Sequence, residues 1–128
     1  MSAGEVEVIR ERAESFLRNA DHLIRVKDWD LATFNLEQYC QLILKYKLLI
    51  KTGSYPRTHS LRELLKRLEE FNPTVSRLTK GEERLLYVTK LEDAYIVSRY
   101  LPRKYTEDEV LALQRFVKGV FSKVVSKV

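Results

Sequence analysis

The 128-residue chain is poor in residues that interrupt helices, since it has three prolines and four glycines. That scarcity favours long helices and leaves few turn signals for an all-β fold. Charged side chains cut every apolar run, so no stretch reaches the ~20 apolar residues that a membrane span needs,. The first residues show no basic segment followed by an apolar one, so we expect no secretion signal and no membrane,. The length predicts a single domain over residues 1–128,.

Residues that carry common enzyme chemistry are also scarce. The lone cysteine, Cys40, excludes an internal disulfide and fits a reducing compartment, so we expect a cytoplasmic protein,. Its apolar neighbours favour a buried, unreactive thiol. The two histidines, His22 and His59, lack the spacing of metal ligands, and the isolated glycines form no phosphate-binding loop,. We therefore expect neither a metal nor another cofactor.

Positive charge is concentrated in the middle of the chain. Residues 38–67 hold Glu63 as their only acidic residue, together with seven basic residues: Lys45, Lys47, Lys51, Arg57, Arg62, Lys66 and Arg67. Such a segment can attract a polyanion such as RNA or a nucleotide. It is equally consistent with a solvated face, or with a surface that complements residues 1–37, where acidic residues outnumber basic ones.

Apolar residues recur at alternating spacings of three and four along most of the chain, which predicts amphipathic helices. The predicted long helices run over about Glu5–Val26, Asp28–Thr52 and Gly81–Tyr100, and from Thr106 to about Val124. A shorter helix is predicted over about Ser60–Phe71. The 3-4 rhythm is that of left-handed bundle packing. The predicted fold class is therefore all-α: an antiparallel four-helix up-and-down bundle with one additional short helix.

Several residues indicate where the helices begin and end. Asp28 is expected to cap the second helix at its N-terminus, and Gly53 to end it. Thr106 and Glu109 have the spacing of a capping box. The second helix is apolar on more than one side, so we expect it to be central or to contact another subunit as well.

We expect the apolar stripes to be buried to their ends. The stripe of the second helix includes Ile50, that of the third Phe71, and that of the fifth Val120 and Val124. Gly119 lies inside the fifth helix and costs about 1 kcal/mol of helix propensity. A close approach of two helices would explain it.

A polar cluster lies near the end of the fourth helix. Glu92, Tyr95 and Arg99 are spaced i, i+3 and i+7, so they share one face,. Together with the basic loop 103–105, this face could hold a phosphate in two-pronged geometry. The alternative is an ion pair between Glu92 and Arg99, within the helix or between subunits, with the tyrosines as packing wedges.

Three segments together resemble the HEPN domain family. The order and separation of the segments also match, so the resemblance covers nearly the whole chain. The segments are Trp29–Gln38 continuing through Leu44-Lys45-Tyr46 to Lys51-Thr52-Gly53, Thr58-His59-Ser60-Leu61 followed by Leu64-Leu65, and Leu91 through Ala94-Tyr95 to Ser98-Arg99-Tyr100.

The resemblance implies a four-helix bundle with a short additional helix, usually paired as a homodimer. It also implies RNA cleavage, nucleotide binding, or partnership with a small nucleotidyltransferase in a toxin–antitoxin pair. In the ribonuclease members, an arginine is followed after four to six residues by a histidine that acts on the 2′-hydroxyl.

Arg99 stands where that arginine is expected. Lys104, Tyr105 and Thr106 stand where the histidine should be, so the resemblance assigns no catalytic residue here. His59 is expected to cap or pack before the third helix, unless it approaches Arg99 in space.

The predicted function is nucleotide or RNA binding in a homodimer, with a nucleotidyltransferase as a possible partner. The expected binding residues are Arg99, Tyr95, Tyr100 and Arg103. One alternative is a metal-independent ribonuclease in which a neighbouring group replaces the missing base. Another is a purely structural dimer.

Overall fold

A computed structural model describes residues 1–128 and shows an all-α protein without strands. The all-α class is therefore confirmed, while the antiparallel four-helix arrangement stays a prediction. None of the helices combines the length and the hydrophobicity that crossing a bilayer requires. The helices are α1 (Ala3–Arg25), α2 (Trp29–Thr52), α3 (Leu61–Glu69), α4 (Glu82–Tyr100), α5 (Glu107–Phe116) and α6 (Ser122–Ser126).

The ends of the helices mostly follow their predicted capping residues. Gly53 ends α2 with φ 84°, a left-handed conformation that glycine adopts without steric cost,. Thr106 and Glu109 form the predicted capping box before α5. Asp28 occupies the N-cap position of α2, but its side chain accepts no capping hydrogen bond, so that part of the prediction is wrong.

The core is built around α2, which packs against α1, α3, α4 and α5. This confirms the central place that its apolar pattern predicts. Ala13 and Ala20 are the fully buried residues of α1, and their small side chains let α1 lie close along α2. On α2, Leu36, Cys40 and Leu44 are completely buried. Burial of such side chains supplies most of the free energy that stabilises the fold.

Two apolar stripes end earlier than predicted. Ile50 is 49% exposed, because Leu48 and Leu49 fill the core at the last turn of α2. Phe71 is 51% exposed, since α3 ends at Glu69 and the helical face does not extend to it.

A short 3₁₀ helix, Pro73–Leu78, follows α3 and was not predicted. Its Val75 and Leu78 are spaced by three residues, one 3₁₀ turn, and both are buried,. This segment packs against α3, α4 and α6.

The predicted fifth helix is divided by a π-helical turn, Val117–Phe121. The wider turn moves the buried stripe by one position, so Phe121 and Val125 are buried while Val120 and Val124 are only half-buried. Gly119 is exposed, and a Cβ built on it would meet nothing within 4 Å. The expected close approach of two helices at Gly119 is therefore wrong.

Candidate functional site

Arg99 folds back over Tyr95 in the last turns of α4. The two residues are one helical turn apart, so their side chains lie on the same face. The Arg99 Nε donates a hydrogen bond to the Tyr95 carbonyl oxygen at 2.9 Å. The guanidinium carbon lies 4.3 Å from the centroid of the Tyr95 ring, within the range of cation–π attraction,.

Two further aromatic rings surround the Arg99 guanidinium. The ring centroids of Phe34 and Tyr100 lie 5.0 and 4.8 Å from its central carbon. Arg99 is exposed, forms no ion pair, and leaves both terminal nitrogens without a hydrogen bond. The rings therefore hold a planar cation in place while its two-pronged donor edge stays unused.

His59 also contacts Tyr95, across 36 residues of sequence. The two rings are stacked with centroids 4.0 Å apart and planes inclined by 18°. The Tyr95 hydroxyl oxygen lies 3.2 Å from the imidazole Nε2, at hydrogen-bond distance. His59 and Arg99 thus meet on one tyrosine, and the packing role expected for His59 understates its place in the site.

Glu92 belongs to a different network from Arg99. Its carboxylate accepts hydrogen bonds from the Ser60 hydroxyl at 2.7 Å, the Arg62 backbone N–H at 3.1 Å and the Arg62 guanidinium at 2.7 Å. Burial alone raises the pKa of Glu92, but the hydrogen bonds from Arg62 and Ser60 outweigh it and lower that pKa. The expected alternative of an intrahelical Glu92–Arg99 ion pair is therefore wrong.

An open cavity of about 560 Å³ adjoins the Tyr95 ring. Its walls come from the segment before α3 and from the second half of α4. The lining residues are His59, Ser60, Glu92, Asp93, Tyr95, Ile96, Val97 and Leu101.

Arg103 does not join the aromatic cluster around Arg99. It forms an ion pair with Glu109 at 3.3 Å and lies 5.6 Å from the Tyr105 ring centroid. The structure thus brings Arg99, Tyr95 and Tyr100 together but holds Arg103 elsewhere.

The residues where the resemblance expects a histidine have other roles. Thr106 caps α5, and Lys104 is exposed. Tyr105 is buried, and its backbone N–H donates to Asp30 at 2.8 Å. Burial raises the pKa of Tyr105 to about 12, so this phenol is no proton acceptor near neutral pH,.

A buried acid, Glu37, faces this region from α2. It is completely buried and accepts hydrogen bonds from the side-chain amides of Gln38 at 2.7 Å and Gln41 at 2.9 Å. Burial is the largest influence and raises the pKa of Glu37 to about 7, against the opposing effects of the two amides, Lys45 and Arg99. Sequence reasoning missed Glu37. Its place on the central helix, next to the apolar Leu36 and two residues before Tyr39, is a signal that could have predicted a buried acid.

The remaining reactive group, Cys40, is fully buried, as predicted. Burial raises the pKa of its thiol well above the ordinary value, which keeps it protonated,.

Comparison with known protein families gives one match. A family model described as HEPN domain matches residues 6–128, nearly the whole chain. No curated protein matches the chain.

Proposed function

The chain belongs to the HEPN domain family, and from this premise we propose that it binds a nucleotide or an RNA phosphate through Arg99. A function related to nucleotides or RNA follows from the family in general terms. The observation that carries the specific proposal is the exposed, unpaired Arg99 guanidinium held against the rings of Tyr95, Tyr100 and Phe34.

The chemistry of the guanidinium suits a phosphate. Its planar fork donates two parallel hydrogen bonds to phosphate oxygens, and such charge-assisted bonds are about twice as strong as neutral ones. The surrounding rings limit the rotamers of Arg99, which reduces the entropy lost on binding. Tyr100 is 68% exposed and offers a surface on which a base can stack,.

Arg103 and the basic segment 38–67 have a supporting role in this proposal. Glu109 already pairs with Arg103 and with Lys90, so Arg103 contributes positive potential rather than a direct contact. Long-range attraction of this kind speeds association and weakens as salt is added.

The test is a titration with ATP and with short single-stranded RNA at two salt concentrations. Arg99→Ala should weaken binding by about 1–3 kcal/mol, the strength of hydrogen bonds to charged groups. Its free energy of unfolding should change by under about 1 kcal/mol, because exposed cation–π contacts contribute little. Arg99→Lys should also bind more weakly, since it keeps the charge and loses the fork.

Arg77→Ala is the matched control, because the Arg77 side chain is exposed and makes no hydrogen bond or ion pair. Equal affinities of wild type and Arg99→Ala would contradict the proposal and leave the purely structural dimer as the better reading.

A second candidate function is a metal-independent ribonuclease, favoured by the contact between His59 and Tyr95. In this reaction His59 takes the proton of the 2′-hydroxyl, and the 2′-oxygen attacks the phosphorus. The bond from phosphorus to the 5′-oxygen breaks, and the departing 5′-oxygen takes a proton from water, which leaves a 2′,3′-cyclic phosphate and a 5′-hydroxyl. Arg99 stabilises the charge that develops on the phosphoryl oxygens.

RNA incubated with the protein and a metal chelator tests this candidate. We expect cyclic-phosphate ends from wild type and from His22→Ala, since His22 is an exposed histidine on α1. His59→Ala should lose the activity. Cleavage that survives in His59→Ala would remove His59 from the reaction.

We also propose a homodimer, and a nucleotidyltransferase as a further partner in a toxin–antitoxin type system. The exposed side chains of Leu31 on α2 and Tyr100 on α4 support the dimer, because apolar surface of this kind is commonly covered by a partner,. Family membership supports the second partner, and co-purification with a nucleotidyltransferase encoded beside the gene tests it. A cytoplasmic location fits a protein whose single thiol is reduced.

A further inference from the structure

The cavity beside Tyr95 contains one acid whose hydrogen-bonding capacity is unused. Glu92 is occupied by Ser60 and Arg62. Asp93 lines the same cavity, is exposed, and makes no hydrogen bond or ion pair. An ionised carboxylate only accepts hydrogen bonds. A ligand in this cavity therefore meets one free, negatively charged acceptor.

The rest of the cavity favours a flat, partly apolar ligand. Ile96 and Leu101 are 47% and 52% exposed, and they line the cavity together with Val97. The exposed His59 imidazole, stacked on Tyr95, offers an aromatic platform on the same wall. A planar heterocycle can cover these side chains and stack on the imidazole.

The charges around the cavity determine where the base and the phosphate of a nucleotide can bind. The two carboxylates disfavour a phosphate inside the cavity, since like charges repel. Arg99 attracts a phosphate and contacts the Tyr95 ring, which itself lines the cavity. A base in the cavity and a phosphate at Arg99 satisfy both requirements at once.

Resting on the proposed function, we propose that the cavity selects guanine and that Asp93 is the residue that reads it. Guanine carries two adjacent donors, N1–H and the exocyclic N2–H, that match the two oxygens of a carboxylate. Adenine places an acceptor, N1, beside its amino group, and cytosine places N3 beside its own. Uracil has one donor between two acceptors. Asp93 therefore accepts two hydrogen bonds from guanine and repels one edge atom of each of the other bases.

The guanine can belong to a free nucleotide or to an RNA strand, since both present the same base and phosphate. Competition between 5′-GMP and short RNAs that differ by a single G or A separates these sources. An RNA preference shows as tighter binding of the G-containing strand than of GMP, and a nucleotide preference as the reverse.

The experiment measures the affinities of the full chain for GMP, IMP and AMP. We expect GMP to bind about tenfold tighter than AMP, the discrimination typical of a good two-pronged base contact. IMP lacks the exocyclic amine and should fall between them. In Asp93→Asn the preference for GMP should be lost and shift toward AMP, because the donor and acceptor of the amide match the acceptor N1 and the amino group of adenine.

Asp108→Asn is the matched control, since Asp108 is exposed on α5 and makes no hydrogen bond or ion pair. Arg99→Ala should weaken GMP and AMP by the same factor. Equal GMP and AMP affinities in wild type, or an unchanged preference in Asp93→Asn, would overturn the role of Asp93. The proposed function survives that result if Arg99→Ala still weakens binding. If wild type binds neither nucleotide nor RNA, both proposals fail.

Discussion

Arg62 donates three hydrogen bonds to Glu92, one from its backbone N–H at 3.1 Å and two from its guanidinium at 2.7 and 3.2 Å. The two residues are 30 positions apart, and their contact joins the first turn of α3 to the middle of α4. Ser60 adds its hydroxyl to the same carboxylate. The Glu92 carboxylate therefore fixes the start of α3, and with it the neighbouring His59, relative to Tyr95.

Glu92→Ala should destabilise the protein by about 1–3 kcal/mol, because the part-buried Ser60 hydroxyl and the Arg62 donors lose a charged acceptor that is largely buried,. Chemical denaturation measures the free energy of unfolding. Glu63→Ala is the control, since Glu63 lies in the same turn of α3 and its exposed side chain makes no hydrogen bond or ion pair. Equal losses in the two variants would show that the network contributes nothing specific.

The sequence predicts the long helices well because their apolar spacing reflects one buried face. The capping box of Thr106 and Glu109 is predicted equally well, since its residues are close together in sequence. The 3₁₀ helix Pro73–Leu78 escapes prediction, because only two of its residues, Val75 and Leu78, enter the core. The π turn is not predicted for another reason. Its only effect on the pattern is to move burial to Phe121 and Val125, and the sequence does not show that shift.

The residues of the candidate site also fall into those that the sequence predicts and those that it does not. Tyr95 and Arg99 are one turn apart, so helical spacing alone brings them together. His59 reaches Tyr95 only because the Glu92 network sets α3 against α4, which no local pattern shows. The prediction that Arg103 joins Arg99 is not supported, although the two residues are close in sequence. The helix ends between them at Tyr100, and Arg103 forms an ion pair with Glu109 instead.

Glu37 should make the stability depend on pH. Its pKa is about 7 in the folded protein against the ordinary 4.5, so the folded state holds the proton more tightly. The stabilisation is complete below pH 4.5, is lost as pH rises to 7, and stays constant above it. The full difference is roughly 3 kcal/mol.

The measurement is the free energy of unfolding of wild type and Glu37→Gln between pH 5 and pH 8. The difference between the two proteins isolates Glu37 from other titrating groups. As pH rises toward 7, wild type should lose stability relative to Glu37→Gln, because only wild type has to ionise a buried carboxyl. Glu11→Gln, at an exposed position on α1, should track wild type throughout. A difference that does not vary with pH would contradict this assignment.

Cys40 should react with a thiol reagent only when the protein unfolds. The side chain is inaccessible, and its raised pKa keeps the thiolate scarce,. Labelling with an aromatic disulfide at neutral pH, with and without denaturant, gives the two rates. Rapid labelling of the native protein would contradict the burial of this residue.

The protein should sediment as a dimer at micromolar concentration, with a mass near twice the 15.1 kDa of one chain. Leu31→Glu should weaken association, because Leu31 is 46% exposed and lies one turn before Phe34 on the side of α2 that contacts Arg99. Leu86→Glu, at a 67% exposed position on α4, should leave the dimer intact. A single-chain mass that persists as concentration rises would exclude the dimer.

The π turn gives the C-terminal segment a tolerance to deletion. A regular helix through this segment would bury positions 120 and 124, whereas the structure buries Phe121 and Val125. Deleting Gly119 would bring Phe121 and Val125 into those regular positions with the same side chains still facing inward. The segment therefore has two helical lengths that satisfy one core. A protein lacking Gly119 should fold with its core side chains unchanged, while the exposed Lys118 and Lys123 move closer by one residue.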